Sequence, residues 1–167
     1  FVAPDRQGRG IGNELLTRTL DHARQSKATN KSLITFTFNA VSQGLYIRHG
    51  MLPRLPIYMV RGARSGLTAK QDGTLRRVTI EPSPSHFDIL AQLDVCALGF
   101  SREKHHRHLL DDISMKGVFL QEDGHCIGYA YVSATGHVGP LAVAQAHHMG
   151  AAFGAALALA AAGGADH

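Results

Sequence analysis

Apolar and polar positions along this chain follow two rhythms. Over residues 11–26, Ile11, Leu15, Leu16, Leu20 and Ala23 recur at helical spacing, with Glu14, Arg18, Asp21 and Arg24 elsewhere on the turn, which predicts an amphipathic helix. A polar break at residues 27–31 precedes Leu33-Ile-Thr-Phe-Thr-Phe38. Its β-branched and aromatic content predicts a buried strand over residues 33–38. Residues 41–49 predict a short helix closed by Gly50, a natural left-handed cap, and residues 55–60, with Pro53 and Pro56 near the start, read as an edge strand. Ahead of the first helix, Phe1-Val2 reads as the end of a strand.

Beyond a stretch that reads as a linker (Gly62, Ser65 and Gly66 fall in it), a second set of elements begins. A strand is expected over residues 77–81. Ser85 is placed to cap a helix over residues 86–98, and Ser101 a second helix running through Leu110. Strands over 118–121 and 126–133 flank Glu122-Asp-Gly-His125, where Asp-Gly signals a two-residue hairpin. A short strand over 137–141 and an alanine-rich helix over 144–162 complete the pattern, before Gly163-Gly164. The order is strand-helix-strand-helix-strand, linker, strand-helix-helix-hairpin-strand-helix, an α/β plan.

Composition narrows the function classes. The 167 residues suit one ordinary domain or two small or incomplete ones, and 44% apolar with 18% charged residues is a composition that packs a core. The formal charge is +4 and the pI about 9.3. The basic residues are nevertheless scattered (Arg6, Arg9, Arg18 and Arg24; Arg76 and Arg77; Arg102, Lys104 and Arg107), with no interleaved aromatics. This argues against a nucleic-acid partner and suits a polyanionic small molecule. Cys96 and Cys126 make neither a metal spacing nor a disulfide framework, and read as reduced thiols of a cytoplasmic protein. No charged-then-apolar leader opens the chain, and the apolar stretch 150–164 is mostly alanine and shorter than a bilayer span, so no membrane association is expected. His105, His106 and His108 cluster beside Arg107, and His147-His148 lie near a loop. Without carboxylates at matching spacing they read as solvated surface histidines, with no metal site, and Asp111-Asp112 as a helix-end acidic pair.

Candidate chemistry lies in Val2-Ala-Pro-Asp-Arg-Gln7-Gly8-Arg9-Gly10-Ile11-Gly12. A strand end, a glycine turn and a helix start in that order form an anion site: glycines let successive amides converge, and the helix adds unpaired N–H groups and its positive dipole end. A dinucleotide fingerprint does not fit, because the third glycine would fall on Asn13 or Leu15, and no Gly-Lys-Ser/Thr of a P-loop is present. The segment resembles instead the acetyl-CoA signature (Arg/Gln)-x-x-Gly-x-(Gly/Ala) of the GNAT N-acetyltransferases, preceded by that family's Val-x-Pro. Asn39-Ala-Val-Ser42-Gln-Gly-Leu45-Tyr46-Ile-Arg-His-Gly50-Met51 is similar to the family's second cofactor segment. The resemblance implies acetyl-CoA as cosubstrate. It implies that the backbone near Val2 holds the pantetheine, that Gln7, Gly8, Arg9, Gly10, Ile11 and Gly12 hold the pyrophosphate, and that Asn39 and Ser42 lie beside the pantetheine arm. Tyr46 is then the general acid for the departing thiolate. The acceptor would be a small-molecule or peptide amine; neither it nor a general base can be named.

Residues 76–162 resemble the opposite, N-terminal half of the same family, with Gln145 to Gly150 a degenerate version of the cofactor loop. The expected organisation is a GNAT-like α/β fold, a mixed sheet flanked by helices, in three parts. Residues 1–62 form the acetyl-CoA-binding C-terminal half of one domain, 63–75 a linker, and 76–167 the N-terminal half of a second domain, as in a tandem-GNAT protein cut at both ends. The alternative is a permuted single domain, in which the strand over 137–141 lies beside that over 33–38 and His137 becomes a candidate base. Otherwise another copy of the chain, as in a homodimer, covers the open edge. The competing functional reading is a catalytically inactive GNAT-like module that binds CoA or regulates.

Overall fold

The computed structural model describes residues 2–26, 31–63, 66 and 75–163. The chain divides into two compact units, Phe1–Met59 and Val60–His167. The expected polar break at 27–30, Ser65 of the expected linker and most of the stretch 63–75 lie outside the described residues.

The first unit holds two helices, α1 (Ile11–Gln25) and α2 (Ala40–Arg48), with a 3-10 turn, Pro4–Arg6, ahead of them. Both helices fall where the periodicity put them. Two of the three expected strands do not form: residues 33–36 and 51–60 carry no regular structure, and 37–38 form a turn; of the expected strand end Phe1-Val2, residue 1 lies outside the described residues and Val2 has no regular structure. A helix satisfies its own backbone, whereas a strand exists only as one side of a ladder. No described segment of this unit pairs with either stretch, so Ile34 stands 81% exposed and Phe38 82%. No described residue of the unit is buried.

The second unit is a four-stranded antiparallel sheet in the order β1 (Arg76–Thr79), β2 (Met115–Glu122), β3 (His125–Ser133), β4 (Val138–Val143), with α3 (Pro84–Leu98), α4 (Glu103–Asp111) and α5 (Met149–Ala162). The α/β plan therefore holds, but among the described residues the sheet is wholly antiparallel and not the mixed one expected, since every neighbouring pair of strands runs in opposite directions. Asp123 and Gly124 both have positive φ, 49° and 81°, and turn β2 into β3 as the Asp-Gly pair predicts. Strand alternation builds two cores. On one face Val118, Leu120, Ala130 and Val132 meet Ala152, Ala156 and Ala160 of α5, small side chains four apart that let the helix lie close. On the other face Phe119, Tyr129 and Tyr131 meet Phe87, Leu90 and Leu93 of α3. Gly117 is required here by packing, since a Cβ would sit 2.8 Å from the Tyr131 ring.

Three local expectations are corrected. The cap of α3 is Ser83, whose Oγ accepts from His86 N, because Pro84 and not His86 begins the helix and fits its first turn. Ser101 does not cap α4: its N-cap is Arg102, with no side-chain cap. The last helix starts at Met149 and not near 144, since Ala146–His148 form a 3-10 turn. Within the second unit β4 bonds to β3.

Candidate functional site

The glycine segment of the first unit takes the backbone form that anion binding needs. Gly8 and Gly10 have φ of 75° and 80°, a region that side-chain-bearing residues rarely enter, and a Cβ at either would meet nothing within 4 Å. Gly10 is the N-cap of α1 and carries no side-chain cap. The first intrahelical amide bond is Glu14 N to Gly10 O, 3.0 Å, so the amides of Ile11, Gly12 and Asn13 precede the helical ladder at its positive end. Gln7 folds back, its Nε2 donating to Val2 O at 3.0 Å, and so braces the loop. A shallow groove of about 470 Å³ runs along this end, lined by Arg9, Gly10, Ile11, Glu14, Leu15 and Arg18. Arg18 is held by Glu14 at 2.7 Å. Arg9 makes no ion pair among the described residues and is the cation available to a polyanion.

The second segment forms around α2. Asn39 is its N-cap, its Oδ1 accepting from Ser42 N at 3.1 Å. Gln43 Nε2 donates to Thr37 O at 2.6 Å and holds the incoming chain. Tyr46 lies one turn beyond Ser42 on the same face, half-buried, and its carbonyl accepts the amides of His49 and Met51. Two contacts join this helix to the glycine segment. A Cβ on Gly12 would lie 3.7 Å from Leu45 and 3.8 Å from Val2, and His49 Nε2 donates to Asn13 Oδ1 at 2.9 Å. Val2, the start of α1 and the end of α2 are thus brought together, while Asn39 and Ser42 occupy the opposite end of α2.

The second unit holds a polar cluster that the sequence reading missed. Asp94 and His106 are fully buried, at 0% exposure. Asp94 accepts from Tyr129 Oη at 2.6 Å, from His106 Nε2 at 3.0 Å and from Arg102 through its amide at 2.8 Å and its guanidinium at 3.2 Å. Arg102 also donates to Tyr129 Oη. His106 Nδ1 faces Tyr131 Oη at 3.0 Å. Burial alone would raise the Asp94 pKa, but the hydrogen bonds from Tyr129, Arg102 and His106 outweigh it and hold the carboxyl below its ordinary value. Burial pushes His106 down despite Asp94, so the ring is neutral, with its proton on Nε2 toward the carboxylate and Nδ1 accepting from Tyr131. Burial pushes both phenols up. His106 is therefore not a solvated surface histidine, unlike its exposed neighbours His105 and His108. Position on the apolar face was the available signal: Asp94 follows Phe87 and Leu90 by seven and four residues, and His106 precedes Leu109 and Leu110 by three and four.

The remaining expected residues are elsewhere. His148 is also largely covered, its Nε2 3.1 Å from Glu122 and its ring centroid 3.9 Å from that of His147. The turn it belongs to has no glycine of positive φ, in contrast to the loop before α1. His137 is exposed beside the turn between β3 and β4, its amide donating to Ser133 Oγ. Cys96 and Cys126 are free thiols. Among the described residues no three His, Cys, Asp or Glu side chains converge as metal ligands, and no helix is long and apolar enough to cross a membrane.

A left-handed glycine turn thus opens α1, and the Asn-capped α2 folds back onto that opening. Residues 1–51 match the model of the acetyltransferase (GNAT) family. No curated protein matches the chain.

Proposed function

We propose that this chain belongs to an N-acetyltransferase that moves an acetyl group from acetyl-CoA to an amine by direct attack. On this reading the first unit is the acetyl-CoA-binding half of a GNAT domain, and the second is the N-terminal half of a further, degenerate one. The observation that carries it is the pair of left-handed glycines, Gly8 and Gly10, at the uncapped start of α1 within the family match. That geometry suits a pyrophosphate: it offers the amides of Ile11, Gly12 and Asn13, the helix dipole and Arg9, with no side chain in the way.

Acetyl-CoA supplies the activated carbonyl. The amine nitrogen forms the new C–N bond as the C–S bond breaks, the nitrogen gives up one proton and the thiolate takes up one. Tyr46, a half-buried phenol on the helix folded against α1, is the proposed donor to sulfur. The test is release of free thiol by the chain with acetyl-CoA and a panel of small-molecule and peptide amines. The half domain alone need not turn over; where thiol is released, Tyr46→Phe should lower kcat about 10²-fold or more while leaving the KM for acetyl-CoA within about twofold. CoA binding with no thiol release from any amine would favour a binding or regulatory module instead.

A further inference from the structure

We infer that His49 is a positioning residue for the CoA site, acting through its hydrogen bond to Asn13. The inference rests on the reading that the start of α1 binds CoA. Two contacts join α2 to that start, and they differ in kind. The approach of Leu45 and Val2 to Gly12 is apolar, has no preferred direction and tolerates rotation of α1 about its axis. The bond from His49 Nε2 to Asn13 Oδ1, 2.9 Å, bridges 36 residues of sequence and is directional.

Both ends of this bond are fixed. Asn13 lies in the first turn of α1, and its own amide is one of the three that precede the helical ladder. His49 is the C-cap of α2, its backbone amide bonded to Tyr46 O at 3.0 Å, and the residue is half-buried. Gly10 supplies no side-chain cap, so the opening turn of α1 has little to orient it from its own sequence. The His49 bond sets the rotation of that turn relative to the helix that carries Tyr46. It thereby sets where the converging amides point relative to the phenol. An anion site whose donors are misaligned by about 1 Å loses much of its electrostatic advantage.

The experiment measures CoA affinity and thermal midpoint on the chain and on His49→Ala, Asn13→Ala, the double variant and His49→Gln. Glutamine places an amide N–H where Nε2 stands. Each single alanine variant should weaken CoA binding about three- to tenfold, the worth of one hydrogen bond. The double variant should be no weaker than the weaker single one, because both remove the same bond. His49→Gln should return affinity to within about twofold of the parent. Unchanged affinity in the single variants, losses that multiply in the double variant, or failure of glutamine to restore binding would each overturn the inference while leaving the CoA reading in place. A parent chain that does not bind CoA would overturn both.

Discussion

Asp94 accepts hydrogen bonds from Arg102, His106 and Tyr129 while wholly buried, so each of these groups has its partner chosen for it. Removing the carboxylate leaves a part-exposed guanidinium and a fully buried imidazole N–H without their acceptor. Asp94→Ala should therefore cost about 3–5 kcal/mol of stability, whereas exposed Asp88→Ala on the same helix should stay within about 0.5 kcal/mol, both by chemical denaturation. On the acid side the cluster also gives stability a pH dependence of one sign. In the unfolded chain His106 takes up its proton near 6.5 and Asp94 near 3.8, and folding lowers both values. The unfolded state binds more protons, so stability is complete at neutral pH. It declines as pH falls below about 6.5, by at most ~1.4 kcal/mol per pH unit for one proton, and Asp94 adds a further loss below about 3.8. His106→Gln should flatten the upper part of that decline in acid titrations of the unfolding midpoint. An unchanged profile would show that His106 is not the titrating group. None of this is visible as chemistry in the sequence, because the partners Asp94, Arg102, His106 and Tyr129 lie far apart along the chain and only folding brings them together. It was visible as geometry, since both residues sit on apolar helix faces.

At the scale of elements, the helices were legible and the first unit's strands were not. α1 and α2 arise from spacing and caps within their own residues: Asn39, Ser42 and Gly50 are local signals with local consequences. Residues 33–38 have strand composition, but a strand also needs a neighbour. In the second unit, where Asp123-Gly124 delivers β3 directly onto β2, comparable sequences do form a sheet. Caps were read a residue or two away from where they act, as at Ser83, because several serines and prolines competed there. The cap of α2 is testable: Asn39→Ala should destabilise that helix by about 1 kcal/mol, read as faster amide exchange in Ala40–Arg48. The turn before α5 lacks left-handed glycines. Adding two negative charges there, Gln145→Glu with His147→Glu, should consequently leave CoA affinity within about twofold. A loss comparable to that from a charge placed in the Gly8–Gly10 turn would put the ligand in the wrong unit.

For the whole molecule, the two units stand on different footings. The second buries two cores across one sheet, one against α5 and one against α3, and owes its architecture to strand alternation that the sequence displays openly. The first buries no described residue, yet it carries the family match and the glycine turn. Its candidate site was legible because phosphate recognition by backbone amides depends on a short contiguous motif, which needs no distant partner to be recognised. The Asn13–His49 bond, joining residues 36 apart, was not legible, because only folding brings its ends together. The central claim is that the start of α1 is a CoA pyrophosphate site, and calorimetric titration of CoA into the chain and into Gly10→Asp tests it most directly. That substitution puts a Cβ at φ 80° and a carboxylate where an anion would lie. Saturable one-to-one binding by the parent, weakened at least about tenfold in Gly10→Asp, is the predicted result; no binding by the parent, or equal affinity in both, would contradict it.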